Sequence, residues 1–144
     1  MFSMAFSGAT GRPVPSILIV DGDADTRLLY RTVLEPLTGT ILEADDGMDA
    51  LSIAEQHPPS VIITETRLRR LTGLNLCSQL RANPRTSGSC QLVVTGDALP
   101  ADLARASIAG ADCVLTKPCL PDALRDAVVA LWKSHTDGQD GASS

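Results

Sequence analysis

Short apolar runs recur along the chain, each followed by polar or small turn residues and then by apolar positions at helical spacing. Ile17 to Val20, Thr40 to Ala44, Val61 to Glu65, Gln91 to Thr95 and Cys113 to Thr116 are the runs. Unbroken β-branched stretches such as Val61-Ile62-Ile63 are the pattern of strands buried on both faces of a parallel sheet. Leu29, Val33 and Leu37 recur at four-residue spacing behind the first run, with Asp25 or a neighbour as cap and Pro36 near the stop. Ala50, Leu51 and Ala54 mark a short helix between the Asp45-Asp46-Gly47 turn and His57-Pro58-Pro59. Leu76, Cys77 and Leu80 face inward on a helix that starts near Gly73 and closes at Asn83-Pro84. Pro100 opens the next helix, with Leu103 and Ala106 inward and Gly110 as its stop. Pro121 and Asp122 begin the last one, where Leu124, Val128 and Leu131 pack and Lys133 sits by the negative end.

Five strands alternating with five helices, joined by connections of this length, require parallel strands and right-handed crossovers. The expected fold is α/β, a doubly wound five-stranded parallel sheet with helices on both faces. It occupies 16–133, between a flexible Ser-, Gly- and Pro-rich leader at 1–15 and a flexible polar, Gly-rich tail at 134–144.

Composition narrows what such a domain does. A hydrophobic fraction of 44% supports a real core, but aromatics make up only 3% and two of the four, Phe2 and Phe6, fall in the leader. The core is therefore aliphatic. A net charge of -5 argues against nonspecific binding to nucleic acid. Arg67, Arg69 and Arg70 form the one local basic cluster and read as a solvated loop. Cys77, Cys90, Cys113 and Cys119 form no CxxC pair and have no histidine at metal-ligand spacing. Cys77 and Cys113 read as small buried hydrophobes. Met1 to Gly8 lacks the basic start and long apolar centre of a signal peptide, and no stretch approaches transmembrane length. The expectation is a cytoplasmic protein with reduced thiols and no membrane contact.

The candidate chemistry lies at the carboxyl ends of the strands, where ligands bind in open α/β sheets. The first strand ends on Asp21 and Asp23, the third on Glu65, the fourth on Thr95, and the fifth leads to Lys117-Pro118. Carboxylates with a lysine and a hydroxyl are a set that can hold Mg²⁺ and a phosphoryl group. No GxGxxG or P-loop stretch is present, which counts against a nucleotide binder on the same fold.

With these residues in place the chain resembles the receiver domain of two-component response regulators. The resemblance is carried by Ile-Leu-Ile-Val-Asp at 17–21, Glu-Ala-Asp-Asp-Gly-Met-Asp-Ala-Leu at 43–51, Val-Val-Thr-Gly-Asp-Ala at 93–98 and Gly-Ala-Asp-Cys-Val-Leu-Thr-Lys-Pro at 110–118. It implies the flavodoxin-like strand order 2-1-3-4-5 and a cis Lys117–Pro118 bond. It also implies a pocket in which an aspartate ending the third strand takes phosphate from a histidine kinase.

The match holds at Asp21, Gly73, Thr95 and Lys117 and departs around the chemistry. The phosphoacceptor position is Glu65, and the second acidic position after the first strand, a direct metal ligand in the family, is Gly22. The switch position on the fifth strand is Val114 where Tyr or Phe is usual. Arg69 replaces a loop proline, and Cys119 follows Pro118 where Phe is common. The extra methylene of Glu65 advances its carboxylate by about 1.5 Å, and a misplacement near 1 Å can cost a reaction about 100-fold. It also carries negative charge toward the place of a phosphoryl group. Phosphotransfer is expected to be absent or very slow, with Mg²⁺ bound weakly if at all. The resemblance therefore implies an atypical receiver, a pseudo-receiver that is not an enzyme and works by protein–protein contact. Glu65 either imitates the phosphorylated state or is a structural partner of Lys117. The expected partner is a histidine kinase or a downstream signalling protein on the face formed by the fourth helix, fifth strand and fifth helix, from Leu99 to Trp132. Ile108, Ala109 and Val114 are its candidate apolar patch, and a homodimer stays open. The alternative is a working phosphoacceptor that uses an unusual carboxylate and Mg²⁺.

Overall fold

The computed structural model describes residues 14–142, with side chains placed through Asp137. Most of the expected leader, residues 1–13 with Phe2 and Phe6, lies outside the described residues, as do residues 143–144.

Five strands are present: β1 (Ser16–Val20), β2 (Thr40–Ala44), β3 (Val61–Thr64), β4 (Cys90–Thr95) and β5 (Cys113–Thr116). They alternate with α1 (Ala24–Leu34), α2 (Gly47–Gln56), α3 (Gly73–Ala82), α4 (Pro100–Ala109) and α5 (Pro121–Ala142). The sheet is parallel throughout, in the order β2-β1-β3-β4-β5. Alternation along each strand sorts side chains onto two faces. Ile17, Ile19, Val61 and Ile63 point to one side, where Tyr30 and Leu34 of α1 and Leu124 and Val128 of α5 cover them. Leu18, Val20 and Ile62 point to the other, against Ala50 and Ala54 of α2 and Leu76 and Leu80 of α3. Val93, Cys77 and Ala106 extend that second layer to α4. The core is aliphatic, with Tyr30 as its one buried aromatic among the described residues.

Three details differ from the sequence pattern. The inward face of α1 is turned: Leu29 is 44% exposed, while Tyr30 and Leu34 are buried and Val33 and Leu37 pack beside them. The true stripe is 30, 33, 34 and 37, the i, i+3, i+4, i+7 set. Leu37 itself lies in a 3₁₀ turn, Glu35–Leu37, that Pro36 forces at the helix end. At the other end of the chain α5 does not stop at Lys133 but continues to Ala142, through residues read as a tail. Each added residue gains one backbone hydrogen bond, and no proline interrupts Ser134 to Ala142. His135 stacks on Trp132 with ring centroids 5.5 Å apart, and Thr136 Oγ1 donates back to the Trp132 carbonyl at 3.1 Å. Lys133 is thus a mid-helix residue.

All four cysteines are free thiols. Cys77 is fully buried, and burial pushes its thiol up to about 12, whereas Cys113 is only half-buried on the edge strand β5.

Candidate functional site

The sheet ladder brings the candidate residues together. Val20 is level with Thr64 and with Ala44, and the pairing runs one step past the strands: the Glu65 amide donates to the Val20 carbonyl at 3.1 Å. Asp21 and Glu65 are therefore neighbours by register. On the other side the Lys117 amide donates to the Thr95 carbonyl at 2.7 Å, and the Lys117–Pro118 bond is cis.

Lys117 Nζ reaches back between the two carboxylates. It lies 2.6 Å from Glu65 Oε2 and 3.2 Å from Asp21 Oδ2. The second oxygen of each acid is also engaged. Asp21 Oδ1 accepts from the Asp23 amide at 2.9 Å, and Glu65 Oε1 accepts from the Thr66 amide at 2.9 Å and the Thr66 hydroxyl at 3.0 Å. Burial pushes Glu65 up, but the hydrogen bond and charge of Lys117 with the Thr66 and Arg67 donors outweigh it and hold the carboxyl below its ordinary value. Burial likewise pushes Lys117 down, and the bonds to Glu65 and Asp21 reverse this and raise the ammonium. Both partners are charged at neutral pH.

Thr95 is buried and exchanges a hydrogen bond with Thr66, Oγ1 to Oγ1, at 3.0 Å. The register explains this contact, because Thr64 is level with Val93 and two further steps bring residues 66 and 95 opposite each other. Thr66 was not among the residues the sequence singled out. A signal was there, a hydroxyl one residue past the strand-end acid, but its partner is visible only from the β3–β4 pairing.

Asp23, expected in the pocket, is elsewhere. It caps α1: Oδ2 accepts from the Thr26 amide at 3.1 Å and the Thr26 hydroxyl at 2.6 Å, and those bonds hold its carboxyl below the usual range. Gly22 stands between the two acids, and a Cβ built there would meet only the Asp45 carbonyl, at 3.7 Å. Gly73 has the opposite surroundings, since a Cβ would come within 1.9 Å of the Glu65 carbonyl oxygen. That close approach lets α3 start directly beneath the acid. Val114 is half-buried against the Cys77, Val93 and Ala106 cluster, and Cys119 packs beside Tyr30 on the opposite layer.

The arginines of the following loop are exposed but individually paired, which the solvated-loop reading did not include. Arg67 forks onto Asp97 with Nη2–Oδ1 at 2.7 Å and Nε–Oδ2 at 3.3 Å. Arg70 reaches Asp46 and Asp49 with Nη2 at 2.9 Å and 2.7 Å, and it is the one non-glycine residue with positive φ among those described, at 68°. Arg69 faces Asp45 at 3.7 Å. Asp45, Asp46 and Asp49 crowd within 4.8 Å of one another, and these arginines balance them.

The resemblance implies Mg²⁺ in the pocket, and the donor set does not fit one. A hard cation needs several free oxygen ligands. Here only Asp21 and Glu65 offer carboxylates, the Lys117 ammonium already lies between them, and Gly22 contributes no side-chain ligand.

Comparison with known proteins fits this architecture. The response regulator receiver domain family matches residues 17–129. The chain is 28% identical over 117 residues to the "Probable chemotaxis protein CheY" of Rhizobium etli, covering 81% of this chain and 91% of that one. It is 28% identical over 121 residues to Protein PilG of Pseudomonas aeruginosa, covering 83% and 89%. Its fold superposes on the CheY-like response regulator receiver domain protein of Methanospirillum hungatei with a TM-score of 0.80, at 22% identity and with 87% and 98% of the chains covered. This chain belongs to the response regulator receiver domain family, the modules of two-component signalling that interact with histidine kinases and other signalling proteins. No helix among the described residues is long and apolar enough to cross a membrane.

Proposed function

We propose that this receiver domain acts without phosphorylation, as a protein-interaction module whose pocket is permanently charged. One observation carries the reading: Glu65, at the phosphoacceptor position, has one oxygen on Lys117 at 2.6 Å and the other on Thr66. An oxygen held by an ammonium is a weaker nucleophile, and the extra methylene moves this carboxylate off the place an aspartate would take. Its charge sits against the lysine that a phosphoryl group would occupy, so Glu65 imitates the phosphorylated state. Mg²⁺ has no role in this reading. The partner, a histidine kinase or a downstream signalling protein, binds the α4–β5–α5 face. Its apolar points are Leu99 and Ile108, which are 69% and 86% exposed, whereas Ala109 and Val114 lean into the core.

The test is a beryllium fluoride and Mg²⁺ titration of the isolated chain followed by amide chemical shifts. No change at Lys117 or along α4, β5 and α5 is expected. Saturable shifts centred on Glu65 and spreading to α4 would instead favour the working phosphoacceptor.

A further inference from the structure

Between the pocket and α4 runs a chain of hydrogen bonds in which every proton has one place to go. The ionised Glu65 carboxylate can only accept. The Thr66 hydroxyl proton, at 3.0 Å from Glu65 Oε1, is therefore donated to it. That leaves Thr66 Oγ1 as an acceptor toward Thr95, 3.0 Å away, so Thr95 gives its own proton to Thr66. Thr95 Oγ1 in turn accepts from the Asp97 amide at 3.0 Å. Direction is set from one end, and bonds polarised in series strengthen one another. The Asp97 carboxylate takes the Arg67 guanidinium at 2.7 Å, which ties the two loops together above the pocket. Two residues further on, Leu99 is the N-cap of α4, and its carbonyl receives the Asp102 and Leu103 amides at 2.9 Å and 3.1 Å.

We propose that Thr66 is a positioning residue that relays the charge of Glu65 through Thr95 to Asp97, and so holds the β4–α4 loop and the start of α4 in one place without a phosphoryl group. The inference rests on the reading above that Glu65 stands in for phosphate. It adds a consequence: with its proton committed to Thr66, Thr95 has none to offer an incoming anion.

Amide hydrogen exchange tests the relay. Thr66→Val keeps the branched shape and removes the hydroxyl. Exchange at Asp97, Asp102 and Leu103 is expected to speed about fivefold, the worth of one net hydrogen bond, while amides of β1 and α3 keep their rates as a check on folding. Thr66→Ser should restore the original rates. In a Glu65→Ala background Thr66→Val should add nothing, because both act through one chain. A folded Thr66→Val protein with unchanged exchange at these amides overturns the relay. So does an equal acceleration with and without Glu65. Faster exchange in Thr66→Val together with phosphorylation of Glu65 would keep the relay and remove the phosphate-mimic reading. Unchanged exchange with an unreactive Glu65 would do the reverse.

Discussion

Lys117 Nζ lies 2.6 Å from Glu65 Oε2, so the cation facing this strand-end acid is supplied by the chain itself. Asp21, at 3.2 Å, shares the same ammonium. Glu65 and Asp21 side chains are 11% and 7% exposed and Lys117 is 32% exposed, which makes this a half-buried triad and not a surface pair.

Removing the cation should therefore be costly. Lys117→Met leaves two enclosed carboxylates facing each other, and a loss of roughly 1–3 kcal/mol is expected. That is less than for a fully buried pair, because Lys117 is partly solvated. Urea unfolding at neutral pH measures it.

The same pair sets a pH window. Glu65 is held below its ordinary value, so its contribution is full above the unfolded glutamate pKa of about 4.3 and is lost as pH falls through the folded value. Lys117 is raised, so its contribution is full below the unfolded lysine pKa of about 10.4 and is lost as pH rises through the folded value. The stability difference between the native chain and Lys117→Met should be flat from neutrality to the alkaline limit and shrink beyond it. On the acid side it should begin to shrink above the ordinary glutamate value, because in the variant Glu65 has lost the cation that holds its carboxyl down. A difference that peaks or vanishes near neutrality would contradict the assignment.

Gly73→Ala tests how the acid is positioned. The added Cβ would meet the Glu65 carbonyl oxygen at 1.9 Å and its carbon at 2.9 Å, backbone atoms that cannot swing aside. About 1–3 kcal/mol of destabilisation is expected from overpacking, with displaced amide resonances at Glu65 and Thr66. Gly22→Ala, where the nearest atom is 3.7 Å away, should be tolerated far better.

That room at Gly22 also makes a gain of function testable. Glu65→Asp shortens the acid, and Gly22→Asp supplies a second carboxylate beside Asp21. Neither change alone should confer Mg²⁺-dependent phosphorylation by acetyl phosphate, because one lacks a metal ligand and the other a nucleophile of the right reach. Together they should, with Asp21, Thr95 and Lys117 already present. A folded but inert double variant would place the lesion in the 67–72 loop, where Arg69 replaces the usual proline.

The fold was legible because its strands are short continuous apolar runs, and crossovers between parallel strands leave few arrangements. Glu65, Thr95 and Lys117 were legible for the same reason, as polar residues ending such runs. What the sequence hides is what a polar side chain chooses to bond. Asp23 sits three residues before Thr26 and takes the helix cap, a local partner that outcompetes the pocket. Tyr30 buries its ring where a count of leucines favours Leu29. The arginine loop reads as solvated because Asp46, Asp49 and Asp97, which neutralise it, come from distant stretches of the chain. Thr66 gains its role only through the β3–β4 register.

Phosphoryl transfer to Glu65 separates a permanently charged pocket from a working phosphoacceptor most directly. Incubating the chain with acetyl phosphate and Mg²⁺, then reading intact mass under acidic and alkaline quench, decides it. An unmodified mass at all times is expected, because Lys117 holds Glu65 Oε2, the longer side chain displaces the carboxylate and Gly22 supplies no metal ligand. A base-labile phosphoryl adduct that maps to Glu65 would contradict the account.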